Sequence, residues 1–267
     1  MLAHHRATLT FAAACIACVL AVPAHAALLD AFTTAFPANP CLPSTHAAVI
    51  FRGLYCDGTT CPPDLFANCE QSDADQAAGL PGVLSAVGRS ASILTGGTED
   101  QASAAVEPTL GQLVISTTLQ SNHELLLAYG TPDITQNLDL VALGLAGIAF
   151  EVSGAISPAQ PLYCQITLLR QEPIPGGFEN FSAGAYVAMH GPGPVSVSFS
   201  AFVPGPGFSL SAVDAIQISF SDCDPLGDCA ITNPPPRSYA IGPITLTPAL
   251  PTAARRSSWS DLKARYR

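Results

Sequence analysis

Val195-Ser196-Val197-Ser198-Phe199-Ser200-Ala201 alternates an apolar side chain with a hydroxyl at every step. Successive side chains of a β-strand point to opposite faces, so the run puts Val195, Val197, Phe199 and Ala201 on one side and three serines on the other. Ile216-Gln217-Ile218-Ser219-Phe220-Ser221 does the same. Both read as strands with one buried and one wet face. Working outward, further strands are expected at 47–52, 83–95, 112–119, 124–129, 138–143, 148–153, 162–170, 185–189 and 239–247. Gly/Pro clusters at 173–177, 191–194, 204–207 and 234–236 punctuate them. About ten or eleven short strands with such turns predict an all-β fold, a two-sheet antiparallel sandwich of jelly-roll-like type. A Cys-rich N-terminal segment precedes it.

His4, His5 and Arg6 form a short basic start, and residues 9–22 carry no charge. The apolar run ends at Ala24-His25-Ala26, an A-x-A cleavage site. These are the parts of a secretory signal, and the run is too short to span a bilayer comfortably. The expected mature chain begins at Ala27 and is secreted, at the cell surface or in the periplasm. Cys15 and Cys18 leave with the signal. No other apolar run has the length of a transmembrane span.

The chain has a formal net charge of −10. Between Ala27 and Leu250 only Arg52, Arg89, Arg170 and Arg237 are basic, against 19 acidic residues. An acidic body repels phosphates, which excludes a nucleic-acid role.

Seven cysteines follow the signal. In an oxidising compartment they read as bridges. Cys56 and Cys61 flank Asp57-Gly58-Thr59-Thr60, and Cys223 and Cys229 flank a loop holding Gly227-Asp228, turn sequences that bring chain ends together. Cys41 and Cys69 can enclose the first pair; closing that loop stabilises by roughly 3–4 kcal/mol in the chain-entropy model. Cys164 is left over, a small buried hydrophobe in a strand. Zinc is the alternative for 41–69, without a C-x-x-C pair to support it.

Four regions result: the signal peptide 1–26, an N-terminal strand and Cys/Pro-rich segment 27–79, the sandwich body 80–247, and a linker and basic tail 248–267. In the tail, Ser258 and Asp261 fit a helix capping box, and Trp259, Leu262 and Tyr266 share one helical face. With Lys263 and Arg267 they form a candidate recognition tail for sorting or docking, with a frayed end as the alternative; an envelope protein is one of the partners expected for the chain.

Asp30-Ala31-Phe32, Gly79 through Arg89, Tyr129-Gly130-Thr131, Asn137-Leu138-Asp139-Leu140, Phe199-Ser200-Ala201-Phe202, Ser211 through Ser221, and Tyr239 through Ile244 occur in this order. The body thereby resembles the jelly-roll-like domain of bacterial exported proteins that often carry PEP-CTERM or related surface-sorting tails. Here Ser85-Ala86-Val87-Gly88 stands where that family usually has Gly-Gly before the Arg. The tail is similar to the W-x-x-[IL]-K-x-x-Y-R endings of some exported proteins. The resemblance implies export and a non-catalytic envelope or matrix role, and no catalytic residues.

Asp222, Asp224 and Asp228 occupy one short loop. Three carboxylates offer hard oxygen ligands, so calcium is the one candidate cofactor; a solvated turn is the alternative. His46, His123 and His190 stand in no catalytic motif, and His123 reads as an exposed strand-end residue. A glycosidase needs two carboxylates facing across a cleft, for which Glu124, Glu151 and Asp214 are the strand carboxylates; Asp214 also fits the cap of a turn. Tyr55, Tyr129, Tyr163, Tyr186 and Tyr239 are amphipathic candidates for sugar contact, and each could equally cover a core edge; so thin a supply counts against a flat crystalline-polymer platform, not against a loop-built glycan site. The resulting expectation is a non-catalytic surface or matrix sandwich with a glycan or protein partner. A carbohydrate-active hydrolase and a purely structural envelope protein are the alternatives.

Overall fold

The computed structural model describes residues 26–33, 71–73, 89–95, 102–117, 123–130, 136–224 and 235–249. Cys41, Cys56, Cys61, Cys69, Cys229, Asp228, the strand expected at 47–52 and the tail residues Trp259 to Arg267 lie outside them. The described residues form fourteen strands: β1 Ala27–Asp30, β2 Gln71–Asp73, β3 Arg89–Thr95, β4 Ala102–Glu107, β5 Gln112–Thr117, β6 His123–Tyr129, β7 Leu145–Gly154, β8 Leu162–Ile174, β9 Gly177–Met189, β10 Gly193–Ser198, β11 Val203–Pro204, β12 Ala215–Ser221, β13 Arg237–Ile241 and β14 Ile244–Pro248.

They make two seven-stranded sheets. The first runs β1-β14-β7-β13-β5-β4, with β10 on the other side of β7. The second runs β11-β9-β8-β12-β6-β3-β2. Every ladder is antiparallel. The fold is the expected all-β sandwich, and its first and last described strands, β1 and β14, are neighbours. One apolar cluster fills the space between the sheets. Phe150 of β7 meets Phe220 of β12 edge-to-face across it at 5.5 Å, a favoured aromatic geometry.

The alternation in β12 works as its sequence implies: Ile216, Ile218 and Phe220 are fully buried, and Gln217, Ser219 and Ser221 are half-buried. In 195–201 the strand stops at Ser198. Its hydroxyl accepts from the Ser200 N–H and starts a 3₁₀ turn over Phe199–Ala201. The 239–247 run is two strands. Gly242 donates its N–H to the Glu151 carbonyl at 2.8 Å, and Pro243 has no N–H to continue the ladder. The expected strand at 138–143 is a turn: the Asp139 carboxylate accepts from the Ala142 N–H at 2.8 Å, and Gly144 takes φ +67°. β8 and β9 run further than expected and pair with each other as far as Ile174 and Gly177.

Gly154 closes β7 where β13 arrives. Its φ is +100°, and a Cβ there would lie 2.6 Å from the Ser238 carbonyl oxygen. Only glycine meets both conditions at low cost.

Candidate functional site

The solvent side of the second sheet is a four- to five-strand grid fixed by register. One row is Glu124, Ser221, Tyr163 and Ala188; the next is Leu126, Ser219, Gln165 and Tyr186; the third is Ala128, Gln217, Thr167, Gly184 and Val203. The side-chain period of two puts all of them on one face, because their neighbours in sequence are the buried core residues. The face carries amides, hydroxyls and small residues around two tyrosines.

Tyr163 and Tyr186 are diagonal cross-strand neighbours, Tyr186 opposite Gln165 and Tyr163 opposite Ala188. Their rings are near-parallel at 18°, with centroids 5.7 Å apart. Tyr186 is 41% exposed and Val203 beside it 77%. Partial burial, Tyr163 and Asp224 together push the Tyr186 hydroxyl up to about 12. Tyr186 therefore stays a neutral donor over the physiological range. The two tyrosines stood among the sequence candidates; their pairing depends on the β8–β9 register, which no local signal carries.

Beneath one end of this face lies a polar cluster that the sequence did not announce. His123 is 2% exposed, not the exposed strand-end residue expected. Its ring Nδ1 meets Asp222 Oδ2 at 2.5 Å, and Asp222 also accepts the His123 backbone N–H at 3.1 Å. A carboxylate only accepts, so Nδ1 carries the proton. Nε2 meets the Tyr239 hydroxyl at 2.8 Å. Arg237 forms an ion pair with Asp222, lies over the Tyr239 ring at 5.2 Å and donates to the Pro161 carbonyl at 3.2 Å. His123 and Asp222 come from the second sheet, Arg237 and Tyr239 from the first, so the cluster joins the sheets. An Asp–His–hydroxyl line suggests a nucleophile, but burial drives the Tyr239 hydroxyl well above its ordinary value and shuts it from solvent. It is a structural tie.

Asp222 is thereby placed otherwise than a calcium site requires, since its carboxylate is committed inward. Asp224 follows the end of β12, and Asp228 lies outside the described residues. Among the described residues no group of three His, Cys, Asp or Glu could hold a metal ion. Cys223 is engaged, and Cys164 is the free cysteine among them, buried so that its thiol is pushed up and inert.

The carboxylates of the hydrolase alternative do not converge. Glu124 lies on the outer side of the second sheet, and Glu151 on the outer side of the first. Asp214 is fully buried and accepts the N–H groups of Gln136, Asn137 at 2.8 Å and Gln171 at 2.6 Å, holding the turn before β12.

Asp30, Phe32, Arg89 and Tyr129, quoted above in three separate motifs, meet in a second buried cluster. Asp30 accepts from Arg89 Nη1 at 2.9 Å, from the Tyr129 hydroxyl at 2.9 Å and from the Phe32 N–H at 2.8 Å. Arg89 also lies over the Phe32 ring at 5.4 Å. This cluster ties β1 to β3 and β6.

Fold and faces thus define an antiparallel β-sandwich with an exposed tyrosine-bearing sheet. No family model matches the sequence, and neither does any curated protein. Among solved structures the chain is similar to the family 11 carbohydrate-binding module of the cellulase Lic26A-Cel5E of Clostridium thermocellum, at 16% identity and TM-score 0.37, over 69% of this chain and 97% of that one. A family 11 module from the same organism, in complex with a β-1,3-1,4-mixed-linked tetrasaccharide, matches at 15% identity and TM-score 0.35, over 60% and 89%. A family 30 module of the cellulase Cel9D-Cel44B matches at 16% and 0.31, over 51% and 74%. Likeness this remote carries no argument about what this chain binds. No helix among the described residues is long and apolar enough to cross a membrane.

Proposed function

We propose that the chain is an exported, non-catalytic β-sandwich that binds glycan chains on the outer face of its second sheet, at the cell surface or in the matrix. The observation that carries this is the near-parallel Tyr163–Tyr186 pair, Tyr163 half-buried and Tyr186 exposed, in a field of amides and hydroxyls. A pyranose ring is apolar on its C–H faces and polar at its rim. Tyrosine supplies an apolar ring face with a hydroxyl at its tip. Gln165, Gln217, Ser219 and Thr167 supply donors and acceptors for the rim. The export reading rests on the basic start, the apolar run and the A-x-A site; Ala27, the residue after that site, opens β1. Bridges between Cys223 and Cys229, Cys56 and Cys61, and Cys41 and Cys69 belong to the same proposal.

The test is a polysaccharide pull-down with oxidised protein from Ala27 to Arg267, assayed in parallel for released sugar. The expected result is binding without release, weakened at least about tenfold by either Tyr163→Ala or Tyr186→Ala, as for a central aromatic contact. Undiminished binding in both variants would move the site elsewhere, and released sugar would return the hydrolase.

A further inference from the structure

Past Gly184, β9 is an open sheet edge. The Gly205 N–H donates to the Ser182 carbonyl at 2.8 Å, and the Asp214 N–H donates to the Leu169 carbonyl at 2.7 Å. The first bond places the Ser182 backbone groups on the β11 side of β9. The second turns Leu169 of β8 toward β12, so Leu168 turns toward β9 and its pair Ala183. The N–H and C=O of one strand residue point the same way, and the direction alternates along the strand. Both bonds therefore assign the same parity: Ser182, Gly184, Tyr186 and Ala188 direct their backbone groups away from β8. The β11 ladder stops at Gly184. Among the described residues, nothing bonds to the outward N–H and C=O of Tyr186 and Ala188. Proteins keep such edges from pairing with charges, proline or a bulge. Ala185-Tyr186-Val187-Ala188-Met189 holds no charge and no proline, and its register with β8 is unbroken. The chain as a whole carries a net charge of −10, so two copies repel over most approaches. This edge adds nothing to that repulsion.

We infer that this edge of β9 pairs with the same edge of a second copy of the chain, antiparallel about a two-fold axis at Val187. A two-fold contact sets one surface against itself. The register that uses all the outward groups puts Tyr186 opposite Ala188 of the second copy and Ala188 opposite its Tyr186. Each of these two pairs exchanges both ladder bonds. Val187 then faces Val187 of the second copy. Within one chain Ala188 lies opposite Tyr163, and Tyr186 opposite Gln165. Across the contact the row therefore runs Tyr163, Ala188, then Tyr186 and Gln165 of the second copy. The two second sheets become one, and both tyrosine pairs share a single outer face. The pairing stands independently of the glycan reading; only a doubled glycan face rests on it.

The experiment is sedimentation of the oxidised chain from Ala27 to Arg267 over a range of concentrations, without glycan, together with two variants. The wild type is expected to pass from monomer to dimer as concentration rises. Ala188→Pro removes an outward N–H, which an edge strand tolerates, and is expected to weaken the dimer at least about tenfold, the scale of the ladder bonds lost. Val187→Cys keeps the strand intact and fixes the register. Directly opposed residues of a pair that exchanges no ladder bonds have Cα atoms about 4.5 Å apart, within disulfide reach. Mild oxidation is therefore expected to link Val187→Cys into a covalent dimer on a non-reducing gel. Ala185→Cys, which in this register faces Met189 of the second copy, is expected not to link. A wild type that stays monomeric with no Val187→Cys link overturns the pairing, whether the edge then takes a foreign strand or none, and leaves the glycan reading standing. A dimer that Ala188→Pro does not weaken and Val187→Cys does not link places the contact elsewhere and overturns it as well.

Discussion

Asp30→Ala is expected to lower the stability of the domain by about 3–5 kcal/mol, the usual cost of removing one partner of a buried ion pair. Against total stabilities of about 5–15 kcal/mol, that leaves a marginal fold. The cause is what remains behind. Arg89 keeps its charge between the sheets without its carboxylate, and the Tyr129 hydroxyl and Phe32 N–H lose their acceptor. Burial raises the Asp30 carboxyl above its ordinary value, against the pull of Arg89 and three hydrogen bonds. Holding the charge therefore costs the fold something, and the pair specifies how β1 meets β3 and β6 more than it adds stability. For that reason Asp30→Ala combined with Arg89→Met is expected to cost less than the sum of the two single changes. Denaturant midpoints at constant m-value measure all three proteins. A loss below about 1 kcal/mol in Asp30→Ala, or strict additivity, contradicts this account of the cluster.

Asp222→Ala is the second large effect, again about 3–5 kcal/mol and for the same reason. Arg237 and His123 both lose the carboxylate that holds them, and with it goes a link between the sheets. Asp222→Asn keeps the shape and one acceptor and is expected to lose less. The same residue was a calcium candidate in the sequence, and the two roles separate cleanly. In the structural role, Asp222→Ala lowers the melting temperature and a calcium chelator does not lower that of the wild type. A chelator effect on the wild type that is absent from Asp222→Ala would restore the calcium role.

The elements that sequence reading recovered are those whose pattern is local. Ile216 to Ser221 carries its own buried and wet faces, and so does His123 to Tyr129. β4 carries no local strand signal, because Ala102, Ser103, Ala104 and Ala105 are small residues of low strand preference; it is held by pairing with β5 along its whole length. Leu138 to Leu143 imitates a strand by alternation, but Asp139 and Gly144 supply turn chemistry that outweighs it. His123 could not be read as buried, because its partners Asp222 and Tyr239 arrive from 99 and 116 residues away. Tyr163 and Tyr186 were each visible as amphipathic residues. Only the hairpin register of β8 and β9 makes them a pair, and register is a property of two strands together.

Hydroxyl-radical footprinting with mass spectrometry, on the mature protein with and without bound oligosaccharide, tests the central claim most directly. Tyr163 and Tyr186 are expected to lose reactivity together when the glycan is present. Exposed apolar residues off the face, such as Phe178 at the β8–β9 tip and Val141, are expected to keep theirs. Protection at Phe178 or Val141 with Tyr163 and Tyr186 unchanged would contradict the claim that the tyrosine face of the second sheet is the glycan site.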